Sequence, residues 1–232
     1  MSLRNPMAIR RRRRWWPYAA ALVFVGVIGC VGAWLAGLVI SEGPGSSAPP
    51  PVVLRTYVYV DGDFVRRFGP LNDGGGERVR RWIEETDRQM GHSFPVRVRL
   101  AGIGTWTLPY GAFDGLRIFS KYVPEGSPEG SGANCMIAIT GREGVYWSGV
   151  ARWPRIFLKA QAAEPIDEKT ISTLCPEISH YFGTKDIVDE QFPERTVMSY
   201  KDRRLGIVDG WVVWDAENAE RMRSAIRRWP ST

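Results

Sequence analysis

A glutamate, a histidine, a glycine and an aspartate follow one another at spacings that could support metal chemistry. They are Glu177, His180, Gly183 and Asp186. Two side chains three positions apart share one face of a helix, so a helix here would bring Glu177 and His180 together. An imidazole nitrogen and carboxylate oxygens can bind a divalent cation, and a glutamate can take a proton from a water bound to it. A glycine shortly after the histidine is typical of a helix end.

The stretch 176–186 reads P-E-I-S-H-Y-F-G-T-K-D and is similar to the pattern H-E-x-x-H-x-x-G-x-x-[HD]. That pattern marks the active-site helix of the metzincin clan of zinc endopeptidases, which this part of the chain resembles. The resemblance implies that Glu177 is the catalytic glutamate and that His180 and Asp186 are metal ligands. It also implies that Gly183 makes the turn between the two ligands.

A second segment adds to the resemblance. Residues 196–200 read T-V-M-S-Y and resemble the Met-turn of the clan, which implies that Met198 lies beneath the metal. Tyr200 falls where several members place a tyrosine that reaches the metal or the transition state. The strands predicted at 135–140 and 145–160 resemble those that precede the active-site helix and bind the substrate backbone. The resemblance therefore implies a metzincin-like domain over roughly residues 52–229.

Pro176 departs from the pattern, because it stands where the first histidine ligand belongs. Proline cannot bind zinc, and inside a helix it costs about 3 kcal/mol or more, so we expect the helix to kink or restart here. Replacement is difficult, since His92 and His180 are the chain's two histidines. Cys175 lies five residues before His180 and is rotated away from the ligand face.

Three hypotheses for the site follow. The preferred one is a catalytically impaired scaffold, a pseudoenzyme that binds a peptide or an envelope partner through the old cleft, because a fold predicts chemistry only through an intact site. The second is an altered site in which Glu177, His180 and Asp186 all bind a harder metal. The third is an endopeptidase that holds zinc weakly through His180 and Asp186, with Glu177 as base and Tyr200 assisting.

The pattern along residues 52–232 predicts an α/β (α+β) domain, a mixed sheet covered by helices. Strands are predicted at 53–60, 94–100, 135–140, 145–152 and 155–160, with a possible short strand at 116–119. Helices are predicted at 77–90, where Gly91 would end it, at 168–182, and at 215–229, where Asp215 would cap it. The glycine run in 72–76 predicts a turn.

The N-terminal part predicts membrane attachment. Residues 15–41 carry no charge and are long enough to cross a bilayer, which needs about 20 residues. Five arginines at 10–14 precede them, so the positive-inside rule places residues 1–14 in the cytoplasm, a transmembrane helix at 15–40 and the rest outside. A linker rich in Gly, Ser and Pro at 41–51 leads to the extracytoplasmic domain at 52–232, which we expect in a bacterial cell envelope.

Three alternatives for residues 15–41 stay open. A cleaved signal peptide has a shorter apolar region and a small-residue exit, which fits less well than a retained anchor. Residues 27–30 loosely resemble a lipoprotein cleavage box, but the residues after Cys30 remain apolar. The arginine run resembles a twin-arginine signal, although the residues that follow it do not match well.

Charge is unevenly distributed along the chain. Residues 1–41 carry six arginines and no acidic residue, whereas the remaining 25 basic residues are matched by 25 acidic ones. The sequence pI of 9.4 therefore arises from the tail. This distribution predicts contact with anionic lipid headgroups and gives no support for nucleic-acid binding.

Two cysteines, Cys135 and Cys175, lie in the domain predicted to be exported. An oxidising compartment would allow them to form a disulfide, and this is the favoured interpretation. The alternative is two separate buried thiols.

Overall fold

The computed structural model describes residues 50–146, 148–160, 166–187, 196–199 and 207–230. The predicted basic tail (1–14) and transmembrane helix (15–40) lie outside the described residues, as do most of the linker at 41–51 and Tyr200. Among the described residues, no helix combines the length and the apolar character needed to cross a bilayer.

Five strands form the main sheet, and the predicted mixed α/β architecture is confirmed. The strands are β1 (Val52–Val60), β2 (Val96–Thr105), β3 (Cys135–Thr140), β4 (Gly149–Arg152) and β5 (Arg155–Lys159). Their spatial order is β2-β1-β3-β5-β4. The first four in this order run parallel, and β4 is antiparallel to β5 at the edge. A small second sheet pairs β6 (Ile207–Val208) with β7 (Trp211–Val212).

Five α-helices accompany these strands in the described part of the chain. They are α1 (Gly62–Phe68), α2 (Gly74–Ser93), α3 (Gly115–Lys121), α4 (Ile166–Ser179) and α5 (Ala216–Arg227), and a 3-10 turn (His180–Phe182) follows α4. Helix α2 packs on β2 and on α4, and α4 packs on β4 and β5. Strand β3 is buried along its whole length, so the core lies on both of its faces.

Local residue types explain much of this. Residues 52–60 alternate between buried and more exposed positions, as expected for a β-branched strand with two unlike environments. The carboxylate of Asp215 accepts a hydrogen bond from Asn218 N, which confirms the predicted cap of α5. Ala219, Met222 and Ile226 are buried and form the apolar face of that helix.

Two local predictions about glycines are wrong. The run Gly74–Gly76 belongs to the first turn of α2 rather than to a loop. A Cβ on Gly75 would lie 2.2 Å from Gly69 O, and one on Gly76 would lie 2.0 Å from Leu71 O, so these glycines allow close backbone approach. Gly91 does not end α2, which continues to Ser93.

The possible strand at 116–119 is a helix instead. The Asp114 side chain accepts hydrogen bonds from Leu116 N and Arg117 N, which caps the start of α3. Helix α1, which the sequence pattern did not predict, begins in the same way, because Asp61 accepts from Phe64 N at 2.8 Å. Each of these two short helices is thus capped by its own aspartate, and each is too short for its apolar periodicity to be detected in the sequence.

The predicted disulfide is not formed. Cys135 and Cys175 are both buried free thiols. Cys135 Sγ lies 3.6 Å from the Tyr181 hydroxyl, whereas Cys175 on α4 lies beside Thr86 on α2, so the two thiols face different partners. Burial raises the pKa of Cys135 to about 12, and burial, with a smaller contribution from the Glu85 carboxylate, also raises that of Cys175.

Candidate functional site

The candidate site lies at the C-terminal end of helix α4. It runs from Ile166 through Ser179 with Pro176 inside it, so the helix does not restart at the proline. After Ser179 the backbone tightens into the 3-10 turn that contains His180. Gly183 then adopts a left-handed conformation with φ of 79°, and its N–H donates to His180 O at 3.0 Å. Gly183 therefore ends the helical segment and redirects the chain towards Asp186.

His180 and Asp186 meet as the sequence pattern predicts. The distance from His180 Nε2 to Asp186 Oδ1 is 3.6 Å. On the other side of the ring, His180 Nδ1 lies 3.0 Å from the Thr184 carbonyl, which can only accept a hydrogen bond. This carbonyl favours a proton on Nδ1 and directs Nε2 towards Asp186 and the cleft.

The environment of His180 favours its charged form. Burial by itself lowers the pKa of His180, but Asp186, the Thr184 carbonyl and the Glu177 carboxylate together outweigh it, so the pKa lies above its usual value. A protonated imidazole beside Asp186 forms an ion pair. The pair joins the end of the turn to the segment that carries Asp186.

Glu177 is buried against the edge strand. Only 2% of its surface is exposed, and it lines the same cleft as His180 and Asp186. A Cβ placed on Gly149 of β4 would lie 2.4 Å from Glu177 Oε1 and 2.6 Å from Glu177 Cδ. Gly149 therefore leaves the space that the Glu177 carboxylate occupies.

Met198 lies directly behind the last turn of α4. Its sulfur accepts a hydrogen bond from the Ser179 hydroxyl at 3.4 Å, and Ser179 precedes His180. The Met198 carbonyl accepts from Ile187 N at 2.9 Å, so the segment that follows Asp186 is tied to the methionine. This arrangement agrees with a methionine that supports the floor of the site.

The start of α5 positions both segments around the site, a role that sequence reasoning missed. The Asn218 amide accepts from Lys185 N at 2.8 Å and donates to Lys185 O at 3.0 Å, which fixes the backbone next to Asp186. Thr196 Oγ1 donates to Asp215 Oδ2 at 3.1 Å and so holds the segment that contains Met198. The sequence did not predict these contacts because the bonded residues lie far apart along the chain, although their side chains are suited to hydrogen bonding.

These elements enclose a cleft of about 540 Å³ between the end of α4, the edge strand β4 and α3. It is lined by Leu116, Tyr146, Ser148, Gly149, Val150, Ala151, Lys159, Glu177, His180 and Asp186. The sequence pattern predicted the last three of these residues as a cluster and did not single out Lys159, Tyr146 or Leu116. Strands that pair through their backbones bring such residues together, and spacing along the chain does not reveal them.

Arg142 holds a loop that contacts the cleft residue Tyr146. Its guanidinium donates to the Asp63 carboxylate at 2.7 Å and to the carbonyls of Leu108, Pro109 and Ala112. The loop ends close to Tyr146, whose N–H donates to Phe113 O at 3.0 Å. Tyr146 is 83% exposed and marks the outer edge of the cleft.

The fold is similar to the folds of proteins with solved structures. Archaemetzincin from Methanopyrus kandleri is 17% identical, with a TM-score of 0.50, and the match covers 75% of this chain and 97% of that one. The chain has an archaemetzincin-like fold. A chain from a structure of a chaperone–substrate complex is 10% identical with a TM-score of 0.52, over 77% of this chain and 34% of that one. At these identities the archaemetzincin-like fold alone is shown.

No family model matches the chain, and no curated protein matches it. The zinc-peptidase pattern that residues 176–186 resemble has three protein ligands. In this chain Pro176 stands at one of these positions, and His180 and Asp186 stand at the other two. Among the described residues no three His, Cys, Asp or Glu side chains are grouped to hold a metal ion. The roles proposed for Glu177, His180, Asp186 and Tyr200 stay predictions.

Proposed function

We propose that this chain is a membrane-anchored, extracytoplasmic peptide-binding protein whose archaemetzincin-like fold has lost most or all of its peptidase chemistry. The observation that carries the proposal is the position of Pro176. It is buried within α4, one turn before His180, where the zinc-peptidase pattern requires a ligand. The cleft around His180 is retained, so binding can persist where metal chemistry has been impaired.

The edge strand supports the binding part of the proposal. Within the described residues β4 pairs with β5 on one side, and the cleft borders β4. An unpaired strand edge offers backbone N–H and C=O groups to an extended peptide, which can add to the sheet as another strand. An unstructured segment of an envelope protein would fit this chemistry.

Support for the membrane part comes from residues 15–41 and the arginines before them. An uncharged span of this length after a basic run favours a helix that keeps its N-terminus in the cytoplasm. We expect the full chain to remain in the membrane fraction after a wash at alkaline pH, and a variant without residues 1–40 to leave it. Release of the full chain by the wash would contradict the anchor.

The peptide-binding proposal is tested with the full chain in detergent micelles. A library of extended peptides, blocked at both ends, is screened for binding by fluorescence polarisation, and the best binder is remade with N-methyl groups at successive positions. Methyl groups that face β4 remove a backbone donor, so we expect them to weaken binding while those on the opposite edge have little effect. Equal affinity for all N-methylated peptides would contradict strand addition.

A second candidate function, a metal-dependent endopeptidase, is favoured by the 3.6 Å approach of His180 Nε2 to Asp186 Oδ1 inside the cleft. Metal analysis of the purified chain at near-neutral pH separates the two functions. The scaffold predicts less than stoichiometric zinc and no cleavage of the bound peptide. Stoichiometric zinc that is lost in His180→Ala, together with cleavage lost in Glu177→Gln, would establish the endopeptidase instead.

A further inference from the structure

A lysine in the cleft bonds to a backbone carbonyl rather than to a carboxylate of the described residues. Lys159 is the last residue of β5 and lines the cleft together with Tyr146 and Glu177. Its Nζ donates a hydrogen bond of 2.6 Å to the Val145 carbonyl. Among the described residues no ion pair joins it to an acidic side chain, although Glu177 and Asp186 line the same cleft.

The surroundings of Lys159 make its charge costly. Burial lowers the pKa of its ammonium group, because partial removal from water disfavours the charged form. A lysine whose sole purpose is to be solvated would extend into water, because its four-carbon stem is flexible. Here the hydrogen bond to Val145 O holds the ammonium group at the cleft wall. Two of its three N–H donors remain for another acceptor.

The position of Lys159 relates it to the peptide path. Lys159 N donates to Ser148 O at 2.9 Å, and Leu158 is paired with Gly149, so the lysine sits beside the point where β4 begins. Glu177 and Asp186 line the same cleft, where Asp186 lies 3.6 Å from His180 Nε2. A peptide laid along β4 would pass Lys159 near Tyr146.

We propose that Lys159 gives the cleft a preference for peptides that place a carboxylate group beside the start of β4. The carboxylate comes from an acidic side chain or from the C-terminus of the peptide, since both present the same two acceptor oxygens. Lys159 acts as a specificity-determining residue, and this role rests on the proposed peptide-binding function. Tyr146 and Leu116, which are 83% and 50% exposed, offer apolar contact next to it.

Three forms of each library peptide test the preference, again with the full chain. The first has an internal Glu and an amidated C-terminus, the second has Gln in its place, and the third has the Gln with a free C-terminal carboxylate. The Glu or Gln is moved through every position. Because Lys159 would form a charge-assisted hydrogen bond at a partly exposed site, we expect each carboxylate peptide to bind about tenfold more tightly than the neutral Gln peptide.

Matched variants assign the effect to Lys159. Lys159→Met keeps the aliphatic stem and should abolish the tenfold difference while the Gln peptide still binds. Lys159→Arg keeps the charge and should retain the preference. Lys121→Met removes an exposed lysine of α3 that does not line the cleft and should change nothing. Thermal melting confirms that each variant is folded.

The outcomes separate the two proposals. Equal affinity for carboxylate and neutral peptides in the wild type overturns the role of Lys159 and leaves peptide binding intact. A preference that survives in Lys159→Met, or that disappears in Lys121→Met, also overturns it. Failure of every peptide to bind the wild type overturns the peptide-binding function itself, and the specificity proposal with it.

Discussion

The carboxylate of Glu177 occupies the space that a side chain on Gly149 would need. A Cβ at Gly149 would lie 2.4 Å from Glu177 Oε1 and 2.7 Å from Glu177 Cγ. The glutamate on α4 is thus packed against the backbone of the edge strand. The packing of Glu177, the predicted catalytic glutamate, therefore depends on a glycine 28 positions earlier in the chain.

We expect Gly149→Ala to destabilise the protein by about 1–3 kcal/mol, because the new methyl group overfills a packed site. Chemical denaturation provides the measurement. Gly126→Ala is the control, since a Cβ there has no atom within 4 Å, and its stability should stay within about 0.5 kcal/mol of the wild type.

The double variant Gly149→Ala/Glu177→Ala tests whether the two residues are coupled. Truncating Glu177 should relieve the overpacking, so we expect the double variant to lose less stability than the sum of the two single variants. If the losses in free energy of unfolding of the two single variants simply add up in the double variant, Gly149→Ala acts through a contact other than the one with Glu177.

Restoring the missing ligand tests inheritance of the site geometry. We expect Pro176→His to take up zinc, because all three ligand positions of the zinc-peptidase pattern would then carry a residue that can bind zinc. Equilibrium dialysis with zinc provides the measurement. Pro176→Ala and Pro176→His/His180→Ala should bind none, and a folded Pro176→His protein that binds no zinc would argue against the inherited geometry.

Thiol labelling tests the separate environments of Cys135 and Cys175. Both thiols are buried, and burial raises their pKa values, that of Cys135 to about 12. In a Cys30→Ser variant we therefore expect neither to react in the folded protein at mildly alkaline pH. Both should react after denaturation without reductant. Failure of both to react after denaturation would show that they form a disulfide.

Asp87 should contribute to the pH dependence of stability. Its carboxylate on α2 accepts bonds from Arg97 Nε at 2.9 Å and from Val98 N at 2.8 Å on β2. Partial burial alone would raise the pKa of Asp87, but these bonds and the charges of Arg97 and Arg99 outweigh it and lower the pKa. Because the pKa of Asp87 is lower in the folded than in the unfolded protein, its charged carboxylate stabilises the fold at pH values above the unfolded pKa of about 3.9.

We therefore expect Asp87→Asn to lose about 1 kcal/mol of stability at neutral pH, where the wild-type carboxylate is charged. The difference between the two proteins should shrink as pH falls through the folded pKa of Asp87. Denaturation curves across acidic pH provide the measurement, with Glu217→Gln on the exposed face of α5 as the control. A difference that is independent of pH would contradict the role of the charge.

Local patterns were sufficient where a residue's neighbours along the chain determine its environment. The alternation in 53–60 and the mostly apolar run 135–140 each predict one strand, and Asp215 predicts the start of one helix. The same holds for the turn at Gly183, since glycine adopts positive φ without a steric penalty. Glu177, His180 and Asp186 could be placed in one cleft for this reason.

Packing between distant segments decided the features that sequence reasoning missed. Asn218 holds the backbone next to Asp186. Cys135 contacts the Tyr181 hydroxyl instead of forming a disulfide. None of these contacts has a signature in spacing along the chain.

The sequence by itself determined the residue types at the end of α4, including a proline in place of a histidine, and therefore which ligands the site can offer. It also determined the uncharged N-terminal span on which the predicted membrane anchor rests. Tertiary structure alone decided that Gly149 makes room for Glu177 and that Lys159 joins the same cleft. The reason is physical: a covalent sequence specifies side chains, whereas strand pairing and helix packing specify which of them share a cavity.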